Sequence, residues 1–211
     1  MSADWSTIAS LSTAAGTLVL AVATFASVRS ANRAARASEV AVLTRLRPLL
    51  VPSRLGEPDE KVGFQDEKWF RVPGGGAIAE VGDDAIYLVI SLRNVGNGIG
   101  VLDRWSVYDQ RLLGDIEHGD LATFRRLTRD LYIPPADRGF WQGALRDPTD
   151  PVFESVREVI KDRRPFTVEL LYGDYEGGQR MITRFGITPA GDERWMAISS
   201  RHWNLDHRDP R

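Results

Sequence analysis

Cysteine is absent from the 211-residue chain. That excludes a disulfide framework, a thiolate zinc site and a cysteine nucleophile, and it fits a reducing compartment. Lysine is nearly absent too, with only Lys61, Lys68 and Lys161, so arginine carries the positive charge. Neither sign is in large excess, since 27 basic residues face 29 acidic ones for a formal net charge of -2. This balance argues against the strongly basic face of a general nucleic-acid binder, and no nucleic-acid partner is expected. Histidine is limited to His118, His202 and His207. A G-x-S-x-G elbow, an H-E-x-x-H pair and a Walker A loop are all missing.

What the chain has is length for one ordinary domain with an appendage, and the appendage is at the N-terminus. Residues 5–28 carry no charge. About 24 residues at roughly 1.5 Å each cover about 36 Å, enough to cross a hydrocarbon core of about 30 Å. Their polar members are small Ser and Thr, which bond back to helix carbonyls, whereas a soluble core helix would show a polar stripe. A secretory signal would need a basic start, but the chain opens MSADW. Ala21, Val22 and Ala23 do form an A-x-A pattern, so cleavage and a secreted or periplasmic domain remain an alternative.

Arg29, Arg33 and Arg36, followed by Arg45 and Arg47, form a basic cluster at the membrane exit, against Asp4 on the other side. The positive-inside rule then places the N-terminus outside and the C-terminal domain in the cytoplasm of a single-pass protein of the cell membrane, with Trp5 at the outer headgroups. From Ser27 to Leu46 there is neither Pro nor Gly, and Val40, Leu43 and Leu46 recur at helical spacing. A helical stalk of roughly four or five turns before Pro48 is expected. Ser12 and Gly16 form a small-xxx-small pair that would admit a second helix, as would Ala9 and Thr13. The expected organisation is an extracytoplasmic start (1–4), a transmembrane helix (5–28), a stalk (29–47), a β-sandwich domain (48–205) and a polar tail (206–211).

Beyond Pro48 the pattern becomes that of strands. Ile86, Leu88, Ile90 and Leu92 alternate as one buried face. Ile99, Val101, Trp105 and Val107 follow the glycine-rich residues 94–98, as a hairpin arm or as a strand after a corner. Gly96, Gly98 and Gly100 spell G-x-G-x-G, but a strand rather than a helix follows, so turn or bulge glycines are expected instead of a phosphate cradle. Phe166, Val168, Leu170 and Tyr172 form one arm of a hairpin, and Met181, Phe185 and Ile187 line the other. The last strand runs from Trp195 to Trp203, with Met196 and Ile198 on one face. One amphipathic helix is inserted, with Asp150 as N-cap, Pro151 at N1 and Phe153, Val156, Val159 and Ile160 as its buried stripe. The fold class is mainly β: an N-terminal transmembrane α-helix and stalk, then an antiparallel sandwich.

The strand ending in Asn94, Gly96 and Gly98, followed by an apolar strand and a Pro-rich turn before Phe140, resembles the immunoglobulin-like sandwich domains of bacterial surface and membrane proteins. The blocks RNVGNGIGVL, DLYIPPADRGFWQGALRD and LLYGDYEGGQRMITRF are similar to an uncharacterised family of actinobacterial single-pass membrane-anchored proteins. The resemblance covers most of the chain. It implies ancestry and an immunoglobulin-like fold, and brings no activity or site residues with it.

Candidate chemistry is thin. His202 and His207 lie five apart beside Asp206 and Asp209, a spacing poorly suited to one helical metal face, and a polar tail is the simpler reading. Asp147, Asp150 and Asp174 could serve a hydrolase as paired carboxylates, but each adjoins turn residues that favour Asp anyway. Arg125, Arg126 and Arg129 form a basic cluster that could meet anionic lipid or be balanced by Asp120 and Asp130. Most tryptophans belong in the core, while Trp69 and Phe70, after an acidic loop, are candidates for an exposed partner contact. No catalytic, metal or cofactor residue is assigned. The expected role is non-enzymatic: a cytoplasmic interaction module, held to lipid by its helix, in complex with an integral-membrane partner or as a homo-oligomer. It would be an accessory subunit of a larger membrane complex. Intact-mass spectrometry of the membrane-extracted protein is expected to find residues 1–23 still attached, and a mature chain starting after Ala23 would overturn the retained anchor.

Overall fold

The computed structural model describes residues 5–114, 116–191 and 193–206. The chain divides into two compact units, one ending at Thr44 and one starting at Arg45.

The first unit is a single helix, α1 (Trp5–Arg45). Its 41 residues correspond to about 60 Å. Thr13, Thr17 and Thr24 donate their hydroxyls to the carbonyls of Ala9, Thr13 and Leu20 at 2.8–2.9 Å, which conceals the polar groups of an otherwise apolar surface. The helix is long and apolar enough to cross a membrane, with a mean hydropathy of 1.8 in its most apolar stretch and none of that stretch buried by protein. Leu18, Val19, Leu20, Val22 and Phe25 are all exposed. The helix passes residue 28 without a break and stops at Arg45, two residues short of the expected end of the stalk. Pro48 disfavours helical geometry at Arg47, which accounts for the early stop.

The second unit is mainly β. Its strands are β1 (Leu50–Pro52), β2 (Glu60–Gly63), β3 (Trp69–Val72), β4 (Gly76–Val81), β5 (Ile86–Asn94), β6 (Gly100–Tyr108), β7 (Arg125–Ile133), β8 (Arg138–Leu145), β9 (Phe166–Gly173), β10 (Met181–Ala190) and β11 (Arg194–Asn204), with α2 (Phe153–Lys161) between β8 and β9. Nine of them form one sheet in the order β1-β5-β4-β11-β10-β9-β6-β7, with β8 on β5, and β2 and β3 form a separate hairpin. All pairings are antiparallel. Residues 86–90 of β5 pair with β4 and β8 at once, so these two must lie on opposite edges of β5. That leaves β7 and β8 as the outermost strands of a curled, sandwich-like sheet. They follow one another in the chain, yet share no ladder.

The main core fills the inside of the curl, where Phe153, Val156, Val159 and Ile160 of α2 join inward residues of β5, β6, β9 and β10. A second cluster lies on the outer face of β5, where Tyr87 and Val89 meet Val62, Phe64, Phe70 and Val72 of the β2–β3 hairpin. β5 is therefore buried on both faces rather than on the alternating face alone. β6 does not return along β5 as a hairpin arm; the glycine corner sends it to pair with β7 and β9. A bulge at Asp103 shifts its phase, so Leu102, Trp105 and Val107 are buried while Ile99 is exposed. On β11 the buried residues are Trp195, Ala197 and Trp203, and Ile198 faces outward. The helix cap is likewise displaced: α2 starts at Phe153 after Val152. Asp150 braces the preceding turn, its side chain accepting from the Val152 N–H and its carbonyl from the Phe153 N–H.

The chain enters the second unit through a socket built by Asn94. Its fully buried carboxamide accepts from the N–H of Leu49 and of Gly96 and donates to the carbonyls of Gly98 and Ile133 at 2.7–3.1 Å. Gly96 and Gly98 are needed for close approach: a Cβ on Gly98 would lie 1.6 Å from the Leu46 carbonyl oxygen, and one on Gly96 2.3 Å from that of Arg47. The Asn94→Ala variant would orphan four backbone groups, two of them in buried hydrogen bonds, and is expected to lose about 3 kcal/mol of domain stability. Gly98→Ala should also destabilise. Thermal melts followed by the strand circular dichroism signal test both, and unchanged midpoints would refute the socket.

Candidate functional site

The β2–β3 hairpin forms one wall of a cleft against β7 and β8. Neighbouring residues on a strand face opposite ways. Trp69 and Phe70 therefore cannot share a surface: Trp69 is 61% exposed, and Phe70, expected outside, is only 8% exposed in the second cluster. Opposite Trp69 in register is Gly63, where a Cβ would come within 2.8 Å of the indole. Its absence lets the ring lie across β2, with Lys61 Nζ 4.6 Å from the ring centroid. The hairpin is fastened to the sheet by polar contacts. Tyr87 donates its hydroxyl to the Asp66 carboxylate, Arg146 donates to the same carboxylate at 3.3 Å, and Lys68 pairs with Glu80 at 2.6 Å. The Tyr87 hydrogen bond is the main cause that holds the Asp66 carboxyl below its ordinary range, and the same bond raises the Tyr87 phenol.

The other wall is the seam between β7 and β8. β7 pairs with β6 at Leu131 opposite Leu102 and again at Arg126 opposite Arg104. Residues 127–130 thus stand opposite Asp103 alone and leave the ladder. Between this bulge, β8 and the hairpin is a cavity of about 320 Å³ reached by Lys61, Gln65, Trp69, Thr128, Arg129 and Gln142. A smaller recess of about 90 Å³ shares Gln65, Thr128 and Gln142 and is lined also by Trp105 and Arg126. Gln142 is 7% exposed, and its Oε1 has no hydrogen-bond partner among the described residues.

Charge around the cleft is only partly compensated. Arg125 makes a two-toothed bond to Asp150 at 2.7–3.0 Å, and Arg146 is held by Asp66. The partner of Arg125 is therefore Asp150, not Asp120, which caps the 3-10 turn at Leu121–Thr123 through the Ala122 N–H. Arg126, Arg129 and Lys61 have no carboxylate partner among the described residues.

The remaining sequence candidates go to separate local tasks. Asp147 accepts from the Thr149 N–H and hydroxyl, and Asp174 accepts from Gly178 N–H at 2.8 Å within its turn. His202 Nδ1 contacts the Thr183 hydroxyl at 2.7 Å, whereas His207 and Asp209 lie outside the described residues. Among the described residues no group of three potential metal ligands forms. Ser12 and Gly16 are exposed on α1, and Arg29, Arg33 and Arg36 line one shallow groove on it with Phe25.

One cluster escaped the sequence reading. Glu169 and Arg184 stand in register on β9 and β10, both almost completely buried and 2.6 Å apart. Tyr108 and the Gly119 N–H donate to Glu169, and Arg184 donates to the carbonyls of Ile116 and Glu117 and stacks over Trp203. The pair thereby anchors the β6–β7 connection to the outer face of the sheet. Its only sequence signal was one charge in the middle of each apolar hairpin arm.

No protein-family model matches the chain, and no curated protein does. A solved structure described as a protein from Archaeoglobus fulgidus aligns at 12% identity over 63% of this chain and 94% of its own, with a TM-score of 0.23. That similarity is too low to bear on fold or function.

Because the folded state lowers the Asp66 pKa, the stability it adds is present above about pH 4 and lost as pH falls through the depressed value. Tyr87→Phe removes the main cause. The variant should be less stable than wild type at pH 7, with the difference narrowing towards pH 3 in urea unfolding; a gap independent of pH would contradict the assignment.

Proposed function

We propose that the chain is a non-enzymatic single-pass protein of the cell membrane whose β domain faces the cytoplasm and serves as an interaction module, as an accessory subunit of a larger membrane complex. The observation that carries this reading is α1, whose most apolar stretch is long enough to span a bilayer and is not buried by any of the described residues. Lipid satisfies such a surface, whereas water does not. Arg29, Arg33 and Arg36 at its far end support the orientation. Ser12 and Gly16 offer close approach to a helix of an integral-membrane partner or of a second copy. A binding role is favoured over hydrolysis because Asp147, Asp150 and Asp174 each serve their own turn or ion pair. The relation to the actinobacterial membrane-anchored proteins and the immunoglobulin-like character of the domain belong to the same reading and rest on the sequence blocks.

The lack of native cysteine makes the topology directly measurable. In intact cells a membrane-impermeant maleimide should label Ser2→Cys and spare Ser38→Cys until the membrane is permeabilised. Labelling of Ser38→Cys in intact cells would reverse the orientation, and release of the protein by alkaline carbonate would overturn the anchor. Mild detergent extraction should bring membrane partners with the protein, or recover it as an oligomer; a lone monomer would sink the subunit role.

A further inference from the structure

We propose that the cleft between β7 and β8 receives a short extended segment of an acidic partner polypeptide, added as a strand along the open seam. This names the partner class for the interaction role above and rests on that reading. β7 and β8 end the curled sheet, each laddered on one side only. Their outward backbone N–H and C=O groups need partners of both kinds, and another polypeptide strand supplies both. The bulge at residues 127–130 widens this need, because those residues are out of register with β6 as well.

Charge selects the kind of strand. Arg126 and Arg129 of β7 and Lys61 of the hairpin surround the cleft without carboxylate partners among the described residues, while Arg125 and Arg146 are already neutralised by Asp150 and Asp66. Three uncompensated cations favour carboxylates on the incoming segment. Trp69, exposed beside Lys61, offers a flat apolar platform for the side chains that alternate with those carboxylates. Gln142 supplies the remaining constraint. Its buried Oε1 is an acceptor with no donor among the described residues, and such a group costs free energy until a donor arrives. A backbone N–H can donate to it. A polypeptide strand carries both N–H and C=O groups and can satisfy either end of the carboxamide, whereas a phosphodiester supplies acceptors alone.

The test uses full-length protein in detergent micelles and a fluorescent synthetic peptide of alternating Glu and Val, with a Lys and Val peptide as counterpart. Anisotropy should show saturable binding of the acidic peptide that weakens with added salt. Arg126→Glu with Arg129→Glu should weaken it by about tenfold or more, and Trp69→Ala and Gln142→Leu by several-fold each, with circular dichroism unchanged. On binding, amide hydrogen exchange should slow in β7 and β8. The proposal is overturned by equal binding of the Lys peptide, by an affinity that charge reversal leaves unchanged, or by preference for phosphatidylserine vesicles or a single-stranded oligonucleotide. Detergent extraction separates the two levels. If the charge-reversed protein brings down the same partners as wild type, the cleft assignment fails and the interaction role stands; if both are recovered as lone monomers, the role itself fails.

Discussion

The side chain of Asn94 is the point on which the β domain depends. A single carboxamide has two acceptor and two donor positions, and here all four are directed at backbone: to Leu49, Gly96, Gly98 and Ile133. These belong to the entering chain, the glycine corner and the end of β7. One residue therefore sets where the chain joins β5, where β6 departs, and where the β7–β8 connection returns. The glycines serve that packing, since Leu46 and Arg47 occupy the space their side chains would need.

From this corner follows the topology of the sheet. β6 is turned away from β5 and joins β9 and β7, and β8 then returns to the free edge of β5. Two consecutive strands are thus delivered to opposite ends of one sheet that curls until they meet. Hydrogen bonding could have closed the seam as a hairpin, but the bulge at residues 127–130 and the wedge of the β2–β3 hairpin leave a cleft there instead. The cleft is a consequence of the sheet's path rather than of any local motif.

Polar groups divide between fastening and availability. Glu169 and Arg184 are buried together with hydrogen bonds to their remaining positions, as a buried ion pair requires if it is to offset its desolvation. Asp66 with Tyr87 and Arg146, and Asp150 with Arg125, secure the two walls of the cleft. Lys61, Arg126 and Arg129, without carboxylate partners among the described residues, and the amide oxygen of Gln142 line the cleft's cavity or the recess beside it.

The sequence by itself determined the local elements: the uncharged helix of residues 5–28 and its continuation, the hairpin of residues 166–187, the buried stripe of α2 and the mainly antiparallel β character. Each depends on periodicity or turn chemistry within a short window, and those signals are local. Only the tertiary structure decided which faces are buried. β5 is covered on both sides because a hairpin distant in the chain folds over its outer face, which also takes Phe70 inside and leaves Trp69 out. The Asp103 bulge altered the phase of β6, and Arg125 found Asp150 rather than its nearer acidic neighbours. The cleft was illegible for the same reason: its residues come from β2, β3, β7 and β8, and only the register of a curled sheet brings them together.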